Sequence, residues 1–189
     1  MAVSGVARRQ RFEAAALPHL DAAYNLARWL TRNDADAADV VQEAFVRALT
    51  YFDGYRDENP RAWLLTIVRN TCYRWLDRNR SATIVPLSRE VEERMEGASA
   101  DLHGEPVPDP ETLAARHRDS ALLNELIAEL PPAFREALVL RELEDLSYQE
   151  IADVLGVPIG TVMSRLARAR GLLKDAWHRR TMRGKSHGM

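Results

Sequence analysis

Hydrophobic residues recur at three- and four-residue spacing over most of the chain, a period that predicts helices. Phe12, Ala15, Ala16, Leu20, Tyr24, Ala27 and Leu30 form the first series, interrupted or restarted at Pro18 and ended by the polar run TRND. Asn33 is suited to cap the next helix, with Asp34 and Asp36 in its first turn where the helix dipole favours anions. That helix is expected to turn Val40, Val41, Ala44, Phe45, Ala48, Leu49 and Phe52 inward and Asp39, Gln42, Glu43 and Arg47 outward. After the polar loop YFDGYRDENP, Asn59 and Pro60 read as an N-cap and a first-turn proline. The helix they open has an apolar stripe of Trp63, Leu64, Ile67, Val68, Cys72, Trp75 and Leu76. Arg61, Arg69, Asn70, Tyr73, Arg74, Arg78 and Arg80 occupy the rest of its surface.

The pattern dissolves between Ser81 and Pro110, where seven acids face two bases and GEPVPDP is rich in proline. This composition predicts a flexible acidic linker, with a short helix over Ser88 to Met95 as its one ordered piece. Periodicity returns at Leu113, Leu122, Leu123, Leu126, Ile127 and Leu130. Pro131 and Pro132 break it and start another helix through Phe134, Ala137, Leu138 and Leu143. Ser147 and Glu150 then have capping-box spacing, and Ile151, Ala152, Val154 and Leu155 follow as an apolar stripe. Gly156 is placed to end that helix in the left-handed conformation, Val157 and Pro158 turn, and a second helix starts near Ile159 or Gly160. Helix, short glycine-containing turn, helix is the pattern of a helix-turn-helix, whose second helix enters the major groove of DNA.

On a wheel of that second helix, Val162, Leu166, Ala169, Leu173 and Ala176 cluster on one side. Thr161, Ser164 and Arg168 fall opposite, and Arg165 lies on the shoulder. Periodicity alone leaves this face open to two readings, a solvated surface or a DNA contact. Charge favours the second: from Pro158 to Met189 there are eight Lys and Arg residues against Asp175 alone. The net charge of −2 does not argue otherwise, because charge is segregated. Seven acids against two arginines occupy Asn33 to Pro60, and five arginines against one acid occupy Arg61 to Arg80. Such blocks point to separate surfaces for separate partners. Arginines interleaved with Tyr73 and Asn70 suit phosphate binding with stacking on unpaired bases.

Cys72 is the only cysteine, so neither an internal disulfide nor a cysteine zinc cluster is expected, and a reducing cytoplasm fits. The longest apolar runs fall short of the ~20 residues of a membrane span, and MAVSGVARRQRFE has no signal-peptide core, so a cytoplasmic protein without membrane insertion is expected. Five histidines are dispersed without ligand spacing and there is no Gly-rich phosphate loop. No catalysis, cofactor or metal is expected. The fold class is all-α: two small helical domains, residues 1–80 and 111–178, joined by the linker 81–110 and followed by a basic tail, 179–189.

Three collinear blocks, DADAADVVQEAFVRAL, NPRAWLLTIVRNTCYRWLDRNR and LPPAFREALVLRELEDLSYQEIADVLGVPIGTVMSRLARARGLL, resemble bacterial RNA polymerase sigma factors of the extracytoplasmic-function group. The resemblance implies a role for each block. Asp39, Gln42 and Glu43 would join the interface with core RNA polymerase, on the clamp helices of its largest subunit. Arg69, Asn70, Tyr73, Arg74 and Arg78 would recognise and melt the -10 element, with Asn70 holding bases of the non-template strand. Thr161, Ser164, Arg165 and Arg168 would read duplex promoter DNA at the -35 element. Met163 and Ala167 stand where relatives often carry longer side chains, so fewer groups reach the groove. The resemblance further implies an anti-sigma factor as regulator. Two other readings fit the same helices: a stand-alone helix-turn-helix regulator binding operators as a dimer, and a sigma-like decoy that binds only an anti-sigma factor.

Overall fold

The computed structural model describes residues 2–56, 59–82 and 110–185, and among them every regular element is helical. The helices are α1 (Ala2–Ala16), α2 (Leu20–Thr31), α3 (Asp34–Tyr51), α4 (Pro60–Ala82), α5 (Pro110–Glu129), α6 (Pro132–Leu138), α7 (Tyr148–Leu155) and α8 (Ile159–Lys185). The interruption expected at Pro18 is a single 3-10 turn, Leu17–His19. The expected helix over Ser88 to Met95 and the body of the linker lie outside the described residues.

Helices α2, α3 and α4 pack against one another and bury Leu26, Ala27, Leu30, Val40, Ala44, Ala48, Leu64, Leu65, Val68 and Cys72. The alanines on facing stripes let the backbones approach, and leucines from α4 fill the space between them. Helix α1 closes one end by setting Phe12 edge-on to Phe52, with ring centroids 5.4 Å apart. Asn33 caps α3 by accepting from the Asp36 N–H at 3.0 Å, as its sequence position predicts. Leu49, expected inward, is instead exposed. In the last turns of α3, α1 reaches the backbone, with Arg8 donating to the Leu49 carbonyl at 2.7 Å, and leaves that side chain outside.

The second unit assembles α6, α7 and α8, with α5 laid along α8. Its core holds Leu138, Leu140, Leu146, Ile151, Val154, Leu155, Val162, Leu166 and Ala169, joined by Leu126 and Ile127 from α5 and by Leu130 just after it. Both halves of the capping box on α7 are present: the Glu150 N–H donates to Ser147 Oγ at 3.3 Å, and the Ser147 N–H donates to the Glu150 carboxylate at 2.7 Å. Gly156 ends α7 at φ +65°, where a side chain would be strained. Between α6 and α7 a π-turn, Val139–Leu143, inserts one extra residue per turn. Leu143, expected in the same helix as Phe134, Ala137 and Leu138, lies in this turn instead and is exposed.

The two units pack directly against each other, α4 on α7 and α2 on α6, so their buried residues form one continuous cluster. Six consecutive residues, Arg135 to Leu140, are buried there, and two of them carry charge. A helix buried on all sides has no polar face for a wheel to find.

Candidate nucleic-acid interface

Helix α4 is held at its N-terminus by Asn59, whose side chain accepts from the Ala62 N–H at 3.0 Å. Its buried stripe packs into the first unit, which fixes its rotation and sets the direction of each polar side chain. Asn70, Arg74 and Arg78 are exposed along one row. Arg74 turns back to donate to the Asn70 carbonyl at 3.2 Å, and Arg78 donates to Glu43 of α3 at 2.9 Å.

Arg69 and Tyr73 are placed differently from the open face that periodicity suggests. Both are half-buried beneath α6 and both donate to Glu136, Arg69 through Nε at 3.0 Å and Tyr73 through its hydroxyl at 2.8 Å. The Arg69 guanidinium also lies 4.9 Å from the centre of the Tyr73 ring, a cation–π contact. Burial, reinforced by the Glu136 carboxylate, pushes the Tyr73 hydroxyl far up from its ordinary pKa, so it stays protonated and donates. The five α4 residues singled out by sequence thus divide into an open row of three and a covered pair.

The second helix of the helix-turn-helix, α8, begins after Pro158, whose carbonyl accepts from the Thr161 N–H at 2.8 Å. Ser164 and Arg168 are exposed and Thr161 is half-buried, with Ser164 Oγ donating to the Thr161 carbonyl at 2.9 Å. Arg165, on the shoulder of the wheel, turns the other way and donates to Glu136 at 3.3 Å. Arg170 is tied to Glu142 at 2.6 Å. A cationic outward row is what phosphate contact requires.

On α3, Asp39 and Gln42 are exposed, while Glu43 is half-buried between Arg47 and Arg78. Arg47, the stronger influence, and Arg78 hold the Glu43 carboxyl below its usual pKa. Asp36 is shifted the opposite way by partial burial and by its neighbour Asp39. No group of three or more His, Cys, Asp or Glu side chains suited to a metal ion occurs among the described residues. No described helix is long and apolar enough to cross a membrane.

Sequence reasoning missed Glu136, Glu144 and Asn25. Glu144, also buried, accepts from Arg61 at 2.7 Å and from Asn25 at 3.2 Å, and Glu150 accepts from Asn59 at 2.5 Å. The available signal was a glutamate inside the apolar run of PPAFREALVL, because a charge on a buried segment needs a partner.

The sigma-70 region 2 family matches residues 16–82, and sigma-70 region 4 matches residues 120–173. The first match spans α2 to α4 and the second spans the helix-turn-helix. The chain is 38% identical over 159 residues to the ECF RNA polymerase sigma factor SigE of Mycolicibacterium smegmatis, covering 83% of this chain and 58% of that protein. It is 33% identical over 151 residues to the ECF RNA polymerase sigma-E factor of Haemophilus influenzae, covering 79% of this chain and 78% of that one. Among solved structures, the sigma factor RpoE in complex with the anti-sigma factor NepR from Bartonella quintana superposes with a TM-score of 0.68 at 26% identity, over 89% of this chain and 98% of that one.

Proposed function

The chain belongs to the extracytoplasmic-function group of the sigma-70 family, and from that premise we propose that it binds core RNA polymerase and directs it to promoters carrying its own -10 and -35 elements. Members of this family are transcription initiation factors, not enzymes. The observation that carries the reading is the presence in one chain of two cationic helices, α4 and α8, each with an outward row of polar and basic side chains.

The exposed residues Asp39 and Gln42 on α3, with Glu43 beside them, present an acidic face to the clamp helices of the polymerase largest subunit. Asn70, Arg74 and Arg78, joined by Arg69 and Tyr73, take the unpaired non-template strand at the -10 element. Arginines hold its phosphates, and Tyr73 and the Asn70 amide receive its bases. Thr161, Ser164, Arg165 and Arg168 read the -35 duplex through the major groove. Binding core polymerase brings both DNA-contacting helices to one promoter, and the first contact raises the effective concentration of the second. An anti-sigma factor that covers these faces is the regulator, by likeness to the relative solved with one.

Titration of core RNA polymerase into the fluorescently labelled chain tests the first step. Saturable binding is expected, weakened at least about tenfold by Asp39→Ala with Gln42→Ala, about 1.4 kcal/mol. No binding by the wild-type chain would refute the assignment.

A further inference from the structure

Both helices assigned to DNA meet at one buried carboxylate. Glu136 of α6 has a side chain only 2% exposed, and it accepts from Arg69 and Tyr73 of α4 and from Arg165 of α8. Arg69 spends both Nε, at 3.0 Å, and Nη2, at 3.3 Å, on this one acid. Flanking contacts have the same sense: Arg61 and Asn25 donate to Glu144, and Asn59 donates to Glu150. In each of these contacts between the units the first supplies the donors and the second supplies the carboxylate, while the Arg165 bond is made within the second unit.

We propose that Glu136 is an internal substitute for a DNA phosphate, a latch that holds the free chain closed and must be displaced before Arg69 and Tyr73 engage a promoter. The proposal rests on the assignment of those two residues to DNA. A carboxylate and a phosphate are both oxyanions, and a guanidinium fork meets either one with the same N–H groups. The donors on Arg69 cannot serve both at once, so the closed chain and the DNA-bound chain exclude each other. The closed interface is also incompletely satisfied, with the Nε atoms of Arg61 and Arg135 buried without a hydrogen-bond partner among the described residues. An interface carrying that cost opens more readily than a wholly apolar one. The free chain then binds DNA in proportion to its open fraction, and anything that opens it raises apparent affinity.

The test uses the full chain spin-labelled at Thr50→Cys and Lys174→Cys, exposed positions on α3 and α8, with Cys72 buried. The wild-type distance distribution is expected to be single and narrow. Glu136→Gln broadens and lengthens it and raises affinity for a mixed-sequence single-stranded oligonucleotide at least about tenfold. Because Glu136→Gln leaves two arginines beside a neutral group, Arg61→Glu serves as a second opening variant, and Arg61→Glu with Glu144→Arg is expected to close the chain again. Circular dichroism establishes that each variant is helical. Unchanged distances in both Glu136→Gln and Arg61→Glu overturn the latch. Longer distances with no gain in oligonucleotide affinity overturn the competition, and the assignment of Arg69 and Tyr73 to DNA with it. Core-dependent transcription by the wild-type chain is measured separately, so failure of the latch and failure of the sigma-factor reading are distinguishable.

Discussion

Arg78 of α4 donates to Glu43 of α3 at 2.9 Å, joining a side chain assigned to promoter DNA with one assigned to the polymerase. Glu43 keeps Arg47 as a second partner at 2.6 Å, so it is not orphaned when Arg78 leaves. The pair is more than half exposed on the arginine side, where ion pairs contribute about 1 kcal/mol or less. Arg78→Ala is therefore expected to move the urea unfolding midpoint only slightly while reducing promoter opening. A loss above about 2 kcal/mol in the same melt would make Arg78 a structural residue.

Asn70 is exposed on the same row, and its carbonyl, not its side chain, receives Arg74. Truncating it removes no side-chain hydrogen bond among the described residues, so stability should stay within about 0.5 kcal/mol. Permanganate footprinting of melted thymines is expected to fall in Asn70→Ala more than closed-complex formation does. Equal losses in both steps would sink its role in holding an unpaired base.

Arg168 projects from α8 beyond the polar turn made by Thr161 and Ser164. As a phosphate contact it releases counterions, so Arg168→Ala should weaken binding to a -35 duplex and reduce the slope of log affinity against log salt by about one. An unchanged affinity and slope would leave Arg168 as part of a solvated face.

Glu150 links acid sensitivity to the contact between the two units. Bonds from the Ser147 side chain and backbone, helped by Asn59, hold its carboxyl below the ordinary 4.5. A carboxyl lowered on folding contributes stability that is complete above its unfolded pKa and is lost as pH falls through the folded one. Urea unfolding from about pH 6 to pH 3 should show that loss, and Glu150→Gln should be less stable near neutrality with a shallower fall in acid. Identical pH profiles for the two proteins would remove Glu150 from the acid response.

What the sequence made legible was local. Asn33, Asn59, Ser147 and Gly156 announce helix ends because capping and left-handed termination need particular side chains at fixed offsets. The outward rows of Asn70, Arg74 and Arg168 likewise follow from period alone. The contact between units was not legible. Glu136 reaches Arg69 across 67 positions of chain and Glu144 reaches Asn25 across 119, and no local pattern encodes a partner that distant. The π-turn at Val139–Leu143 also breaks the 3.6-residue register on which any wheel depends, so the apolar Leu143 ends up exposed.

Transcription in vitro from a library of genomic fragments, with core RNA polymerase in the presence and absence of the purified chain, tests the central claim most directly. Mapped RNA 5′ ends are expected to include new start sites that share two upstream motifs, and those starts should disappear when Asn70 and Arg168 are both replaced by alanine. A chain that binds core polymerase yet yields no new start on any fragment would contradict the assignment as a promoter-directing sigma factor.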